Sequence, residues 1–314
     1  MTTQRKEPTP SAKREVSIDE AFKFLRGYYP TGVGHVKELN GGKHSKAFSY
    51  EYGEQSFIVR FSTENRGFLK DKYAFEHFGN QIRIPQVVNI GVYKDIHYCI
   101  TQKIQGETVR DQYKKDNFNS LSLLYDTVEK ISKVTIVGTG YGYLDLNGNA
   151  PYQSSLEYIR SVYGSTDLFD WTEIHRLPFV EKDFTNYVAK KMEHFAQFTT
   201  EQRELLHGDF GADNVFVKDN VVSGVIDWEK MRYGDHFLDV GRVLLFCPNR
   251  QATTHAAIEF YKDKNIKNWK ERAVMGVYHV VLTNYAYAAL GGNEASCRSS
   301  KTRLGEIEQG LGLL

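Results

Sequence analysis

Apolar and polar positions change period about a third of the way along the chain. Over residues 47–52 and 56–61 the apolar residues recur at every second position, the pattern of half-buried strands. Residues 36–39, 47–52, 56–61, 87–92 and 97–104 each read as strands. A short helix is predicted before them over residues 17–26, with Ser17 as N-cap and Glu20 three positions on, as in a capping box. Residues 67–79 have helical spacing, with Phe68, Phe75 and Phe78 as the expected buried set, and Pro85 closes that connection. Beyond Gly106 the pattern turns helical, over residues 121–134 and 183–198 in particular. A strand-rich first third and a helix-rich remainder predict an α+β fold of two lobes. The expected division is a mobile tail over 1–15, an N-lobe of antiparallel sheet plus helix over 16–103, and a mostly helical C-lobe over 104–314.

One strand–turn–strand unit interrupts the helical part. Val215-Phe216-Val217 and residues 221–226 flank the turn Lys218-Asp219-Asn220. A hairpin folds its two ends together, so Asn214 and Asp227 are expected at the same end, close to Asp209. Two carboxylates and an amide suit divalent-metal and phosphate chemistry, because Mg²⁺ takes oxygen ligands and keeps few protein side chains. Asn214 and Asp227 could supply those oxygens, and Asp209 could orient an attacking hydroxyl. With a reference pKa of about 3.9, Asp209 is a weak base; in a loose transition state its positioning matters more than its basicity.

Asn40-Gly41-Gly42-Lys43-His44-Ser45 lies between two predicted strands. Gly41 and Gly42 let backbone N–H groups approach phosphate oxygens, and Ser45 adds a donor. Arg60 interrupts the next strand with a cation suited to phosphate. Its expected partner is Asp71, which shares a helix face with Phe75 and Phe78; Glu76 is the alternative.

Composition narrows the function classes. The 314 residues are 41% hydrophobic and 25% charged, with net charge +1, which gives no field for nucleic acid or an anionic membrane. Three cysteines, an odd number widely spaced, suggest neither a disulfide framework nor a zinc site. The 20 Tyr and 19 Phe point to aromatic cores more than to a stacking surface. No run reaches the length of a membrane span, and the polar start lacks a secretory segment, so the expectation is a cytoplasmic protein.

His207-Gly208-Asp209, Asn214 and Val225-Ile226-Asp227-Trp228-Glu229, continued by Tyr233-Gly234-Asp235 and Asp239, resemble the aminoglycoside phosphotransferase family. The resemblance implies a protein-kinase-like fold, Asp209 as catalytic base, and Asn214 and Asp227 as metal ligands. Gly208 stands where eukaryotic protein kinases carry Arg, Trp228 replaces their Phe-Gly, and no Ala-Pro-Glu follows. Kinase-like folds usually have Lys at the position of Arg60. By the same resemblance, Gln102 and Ile104 offer backbone groups to a purine. Gly67-Phe68-Leu69-Lys70-Asp71-Lys72-Tyr73, Ile84-Pro85 and Gln105-Gly106 look like the hygromycin B phosphotransferase branch, which shares Arg and Asp at positions 60 and 71. The implied cofactors are ATP or GTP with Mg²⁺. The implied partner is a small molecule, a cationic antibiotic, handled by a monomer or homodimer without nucleic acid or membrane.

A polycation needs carboxylates. Asp213 and Glu229 adjoin the catalytic residues and are the expected contacts. Asp235 is expected to cap a helix and Asp239 to serve the framework, while Tyr233, Tyr285 and Tyr287 fit a core better than a sugar-binding surface. The alternatives are a kinase of another small alcohol, such as choline or homoserine, or a weakly active nucleotide-binding scaffold.

Overall fold

In the computed structural model the alternating segments form one antiparallel sheet. Its strands are β1 (Val33–Leu39), β2 (Lys46–Tyr52), β3 (Gln55–Ser62), β4 (Val87–Tyr93) and β5 (Ile96–Gln102), ordered β1-β2-β3-β5-β4. The structure describes residues 16–39, 45–115, 120–166 and 168–312. The expected tail, together with Gly41 and Gly42, lies outside the described residues.

Period two gives β3 two different faces. Phe57, Val59 and Phe61 are buried with Phe48, Tyr50 and Ile100 in one core cluster, which α1 (Ile18–Tyr28) covers through Ala21, Phe24 and Leu25. The Phe24 ring meets Tyr98 at 4.6 Å and Phe61 edge-on at 5.4 Å between centroids. Ser17 caps α1 by accepting the Glu20 N–H at 3.1 Å, and the Glu20 carboxylate also accepts from Lys94. Arg60 points to the opposite face, toward α2 (Arg66–Phe78). On α2, Phe68 and Phe78 are buried as expected, but Tyr73 and Ala74 fill the interior where Phe75 was expected, and Phe75 is only half-buried.

Residues 1–106 and 223–229 make one unit, and residues 107–222 with 230–314 make the other. The larger unit contains β6 (Glu107–Thr108), α3 (Val109–Tyr113), α4 (Ser120–Ser132), β7 (Gly142–Tyr143), α5 (Ser155–Arg160), α6 (Trp171–Ile174) and α7 (Lys182–Ala196). It continues with β8 (Glu204–Leu206) and β9 (Val215–Lys218). Two-residue turn chemistry then leads into β10 (Val221–Val225), whose last residues belong to the smaller unit. Asp219 and Asn220 both have positive φ, 52° and 60°, the conformation of a type I′ hairpin turn. After β11 (Arg232–Gly234) come α8 (Phe237–Phe246), α9 (Arg250–Tyr261), α10 (Trp269–Leu290) and α11 (Glu294–Gly310). β11 pairs antiparallel with both β7 and β8.

Helix α10 is apolar and long enough to cross a membrane by length and composition, but 78% of its most apolar window is buried within the protein. It is the core helix of the larger unit. Gly276 of α10 meets Gly241 of α8 so closely that a Cβ on Gly241 would stand 2.2 Å from the Gly276 carbonyl carbon. The two helices therefore touch backbone to backbone, and neither position accepts a side chain without separating them. Tyr233 and Tyr285 are buried, with Tyr285 Oη accepting the Glu181 N–H at 3.0 Å. Tyr287 is half-buried and packs edge-on against Phe169. All three cysteines are buried and free.

Candidate active site

In the smaller unit the expected cation and acid meet. Arg60 Nη2 donates to Asp71 Oδ2 at 2.5 Å. Burial alone would lower the affinity of Arg60 for its proton, but Asp71 outweighs it, with a further contribution from Asp227. Glu76 instead faces Lys72 on the exposed side of α2. The Arg60 guanidinium also lies over the Phe68 ring, 5.1 Å from its centroid. Asp71 is buried, and its second oxygen, Oδ1, accepts the Trp228 N–H at 2.8 Å.

Asp227, just before Trp228, is exposed and has φ 68°, the left-handed region that favours Gly, Asn and Asp. Two further bonds fix the chain around it: the Val225 N–H donates to Arg83 O at 2.9 Å, and Trp228 Nε1 donates to Val225 O at 3.0 Å. Glu229 is exposed and reaches across the start of α2, where a Cβ on Gly67 would stand 3.1 Å from its Oε2. That helix has no acid in its first turn and no side-chain cap, so the Glu229 carboxylate complements its N-terminal dipole.

The segment after β5 is partly committed to the sheet. The Gln102 N–H donates to Gln86 O and the Lys103 N–H to Ser56 O, each at 2.9 Å. The Gln102 N–H is therefore taken. In extended chain the C=O of residue i and the N–H of residue i+2 face the same way, which pairs Gln102 O with Ile104 N. Ser45 is half-buried at the entry to β2.

In the larger unit the loop His207-Gly208-Asp209 is held from beneath. Asp239, buried in the first turn of α8, accepts the N–H groups of His207 at 2.7 Å and Gly208 at 3.0 Å. Arg232 Nη2 donates to Gly208 O at 2.9 Å, and Nη1 to Tyr158 Oη at 2.7 Å. Gly208 has φ 82°, and a Cβ there would stand 1.9 Å from Lys230 O, so no other residue fits this loop. Asn214 Nδ2 donates to the Asp209 carbonyl at 2.9 Å, joining the two ends of the loop.

The Asp209 carboxylate is about one-fifth exposed, with Arg242 bonded to Oδ1 and Lys230 at 3.4 Å from Oδ2. Burial would raise its pKa, but Arg242 and then Lys230 outweigh burial and hold it below the usual carboxylate range. Sequence reasoning missed both cations. Arg242 lies one helical turn past Asp239, so its placement follows only once α8 is anchored under the loop.

Asp213 is exposed and gripped by Arg110, whose Nη2 donates to Oδ2 at 2.8 Å. Asp235 is fully buried; it accepts the Phe237 N–H at 3.0 Å and both Arg272 nitrogens, Nε and Nη2, at 2.8 Å. His236 beside it bonds Glu204 and Glu129 at 2.8 and 2.9 Å.

In the larger unit Asn214 commits its amide N–H to the loop, so a ligand role would fall to its oxygen. In the smaller unit Asp227 is an exposed carboxylate. Each is an oxygen ligand of the kind that a hard divalent cation takes.

A family model described as the phosphotransferase enzyme family matches residues 35–273. Hygromycin-B 4-O-kinase of Escherichia coli is 26% identical over 242 residues, covering 75% of this chain and 69% of that protein. A crystal structure of a thermostable mutant of aminoglycoside phosphotransferase APH(4)-Ia, a ternary complex with ADP and hygromycin B, has TM-score 0.77 at 22% identity, covering 92% of this chain and 97% of that one. Ethanolamine kinase of Plasmodium vivax has TM-score 0.65 at 12% identity, covering 95% and 91%. Identities this low in the solved structures speak for the fold, which is the kinase-like α+β fold expected from the sequence. With a family match over most of its length, the chain belongs to the phosphotransferase enzyme family and is a small-molecule kinase with a hydroxyl acceptor.

Proposed function

We propose that this enzyme transfers the γ-phosphoryl group of Mg-ATP to a hydroxyl of an aminocyclitol antibiotic of the hygromycin B type. The observation that carries the acceptor is the likeness to hygromycin-B 4-O-kinase, which spans both the sheet-rich and the helix-rich parts of the chain. It works in the cytoplasm, where nucleotide is available, and confers resistance.

Asp209 orients the acceptor hydroxyl and receives its proton as the phosphoryl group departs. Arg242 and Lys230 keep its carboxylate ionised, so the group is ready to accept a hydrogen bond at neutral pH. Arg60, fixed by Asp71, holds phosphate oxygens of the nucleotide, and Ser45 with Gly41 and Gly42 adds donors to them. Gln102 O and Ile104 N bond the purine. Asn214 and Asp227 would hold Mg²⁺, which neutralises phosphate charge when bound. Asp213 and Glu229 are the carboxylates offered to the acceptor's ammonium groups, with Arg110 as competitor for Asp213.

A second reading rests on the likeness to ethanolamine kinase: a small amino alcohol as acceptor. ADP release measured with Mg-ATP across hygromycin B, other aminocyclitols, ethanolamine, choline and homoserine separates the two. Turnover with hygromycin B well above that with every simple alcohol is expected. Turnover confined to simple alcohols would overturn the antibiotic acceptor and leave phosphotransfer standing.

A further inference from the structure

Asp71 carries more than the ion pair with Arg60. Its two oxygens serve different parts of the smaller unit: Oδ2 takes Arg60 at 2.5 Å, and Oδ1 takes the backbone N–H of Trp228 at 2.8 Å. Trp228 directly follows Asp227, whose φ of 68° places it in the left-handed region. A left-handed residue aims its side chain differently from an extended or helical one, so the peptide after it decides where the carboxylate points. Asp227 is exposed, and burial does not fix it. The bonds at Val225 and Trp228 Nε1 fix the strand end and the indole, whereas the bond from Oδ1 fixes the peptide itself.

The short side chain matters. Asp71 is 7% exposed, so its carboxylate is held by its surroundings with both oxygens in use. A buried carboxylate that accepts one charged and one backbone donor is satisfied only while both partners remain in place. Movement of α2 would therefore disturb Arg60 and the Asp227 segment together.

We propose that Asp71 is a positioning residue for the metal ligand as well as for the nucleotide cation: through the Trp228 amide it sets the direction of the Asp227 carboxylate. This rests on the kinase reading above, in which Arg60 meets phosphate and Asp227 meets the metal. The carboxylate thus couples two functions within one unit of the chain.

Three variants separate the two loads: Asp71→Asn, Asp71→Ala and Arg60→Met. Two binding constants are read for each, ADP in the presence of a chelator by calorimetry, and Mn²⁺ for the ADP complex by electron paramagnetic resonance. Asn keeps an acceptor oxygen for the Trp228 amide but loses the charge that holds Arg60. It should weaken ADP about tenfold and leave Mn²⁺ affinity within about twofold. Arg60→Met should do the same, since it removes the first load alone. Asp71→Ala should weaken ADP and Mn²⁺ about tenfold each. Equal Mn²⁺ affinity in the Asn and Ala variants would overturn the proposal, as would a Mn²⁺ loss in Arg60→Met matching that in Asp71→Ala. If Asp71→Ala does not fold, Asp71→Asn and Arg60→Met still put it at risk: a tenfold Mn²⁺ loss in either contradicts the second load. A wild-type protein that binds no ADP would sink the kinase reading itself and the proposal with it.

Discussion

Two aspartates of the larger unit, Asp209 and Asp235, lie within one short stretch and are put to opposite use. Asp235 has no exposed surface and is closed by a bidentate Arg272, the Phe237 N–H and Thr199. Asp209 keeps about a fifth of its surface, and its cations, Arg242 and Lys230, are themselves partly exposed. Both carboxyls titrate below their usual range, because cations outweigh burial in each case. The lowered pKa alone therefore does not mark the functional residue. What separates them is access: Asp209 keeps exposed surface, whereas Asp235 is sealed.

The comparison can be broken most forcefully at Asp235. Asp235→Asn leaves Arg272 buried beside a neutral partner and should cost about 3–5 kcal/mol in urea unfolding. Turnover per folded molecule should change only a few-fold. A variant of normal stability and lost activity would reverse the roles assigned to Asp235 and Asp209.

The His236 neighbourhood gives a pH test of the sealed side. Burial would lower the His236 pKa, but Glu129 and Glu204 outweigh it and raise it to about 9. A raised folded pKa stabilises fully below the unfolded value of about 6.5 and is lost as pH rises through the folded value. Stability should therefore fall by up to about 3 kcal/mol between pH 6.5 and 9. His236→Gln should flatten that dependence. An unchanged slope in His236→Gln would assign the loss to other groups.

Asp213 sharpens the exposed side with the smallest effect. Its pair with Arg110 is largely solvated, so Asp213→Asn should cost less than about 1 kcal/mol. A rise in acceptor KM without loss of stability would assign this carboxylate to the acceptor. An unchanged KM would leave it as a partner of Arg110 alone.

Much of this frame is legible in the residues. Alternation over β2 and β3 and the Ser17 cap are local signals, and local rules read them. Asp71 was favoured as partner of Arg60 because helical spacing puts it on the inward face of α2. Local rules stop where partners come from distant segments. Arg242 reaches Asp209 from 33 positions away and Arg110 reaches Asp213 from 103, separations that carry no periodicity. The second bond of Asp71, to Trp228, spans 157 positions and concerns a backbone amide, which no residue type announces. Phe75 shows the other limit: the inward face of α2 was identified, but Tyr73 and Ala74 are the residues it buries. Gly208 is a family mark in the sequence, and its physical reason, the close approach of the Lys230 carbonyl, appears only in three dimensions.

On the proposed reading, the loop carrying Asp209 performs phosphoryl transfer. Single-turnover transfer from Mg-ATP to the best acceptor of the panel, in wild type and Asp209→Asn, tests it most directly. A rate loss of at least ~10²-fold is expected, with unchanged ADP affinity and a melting temperature within a few degrees of wild type. Transfer at the wild-type rate in a folded Asp209→Asn would contradict it.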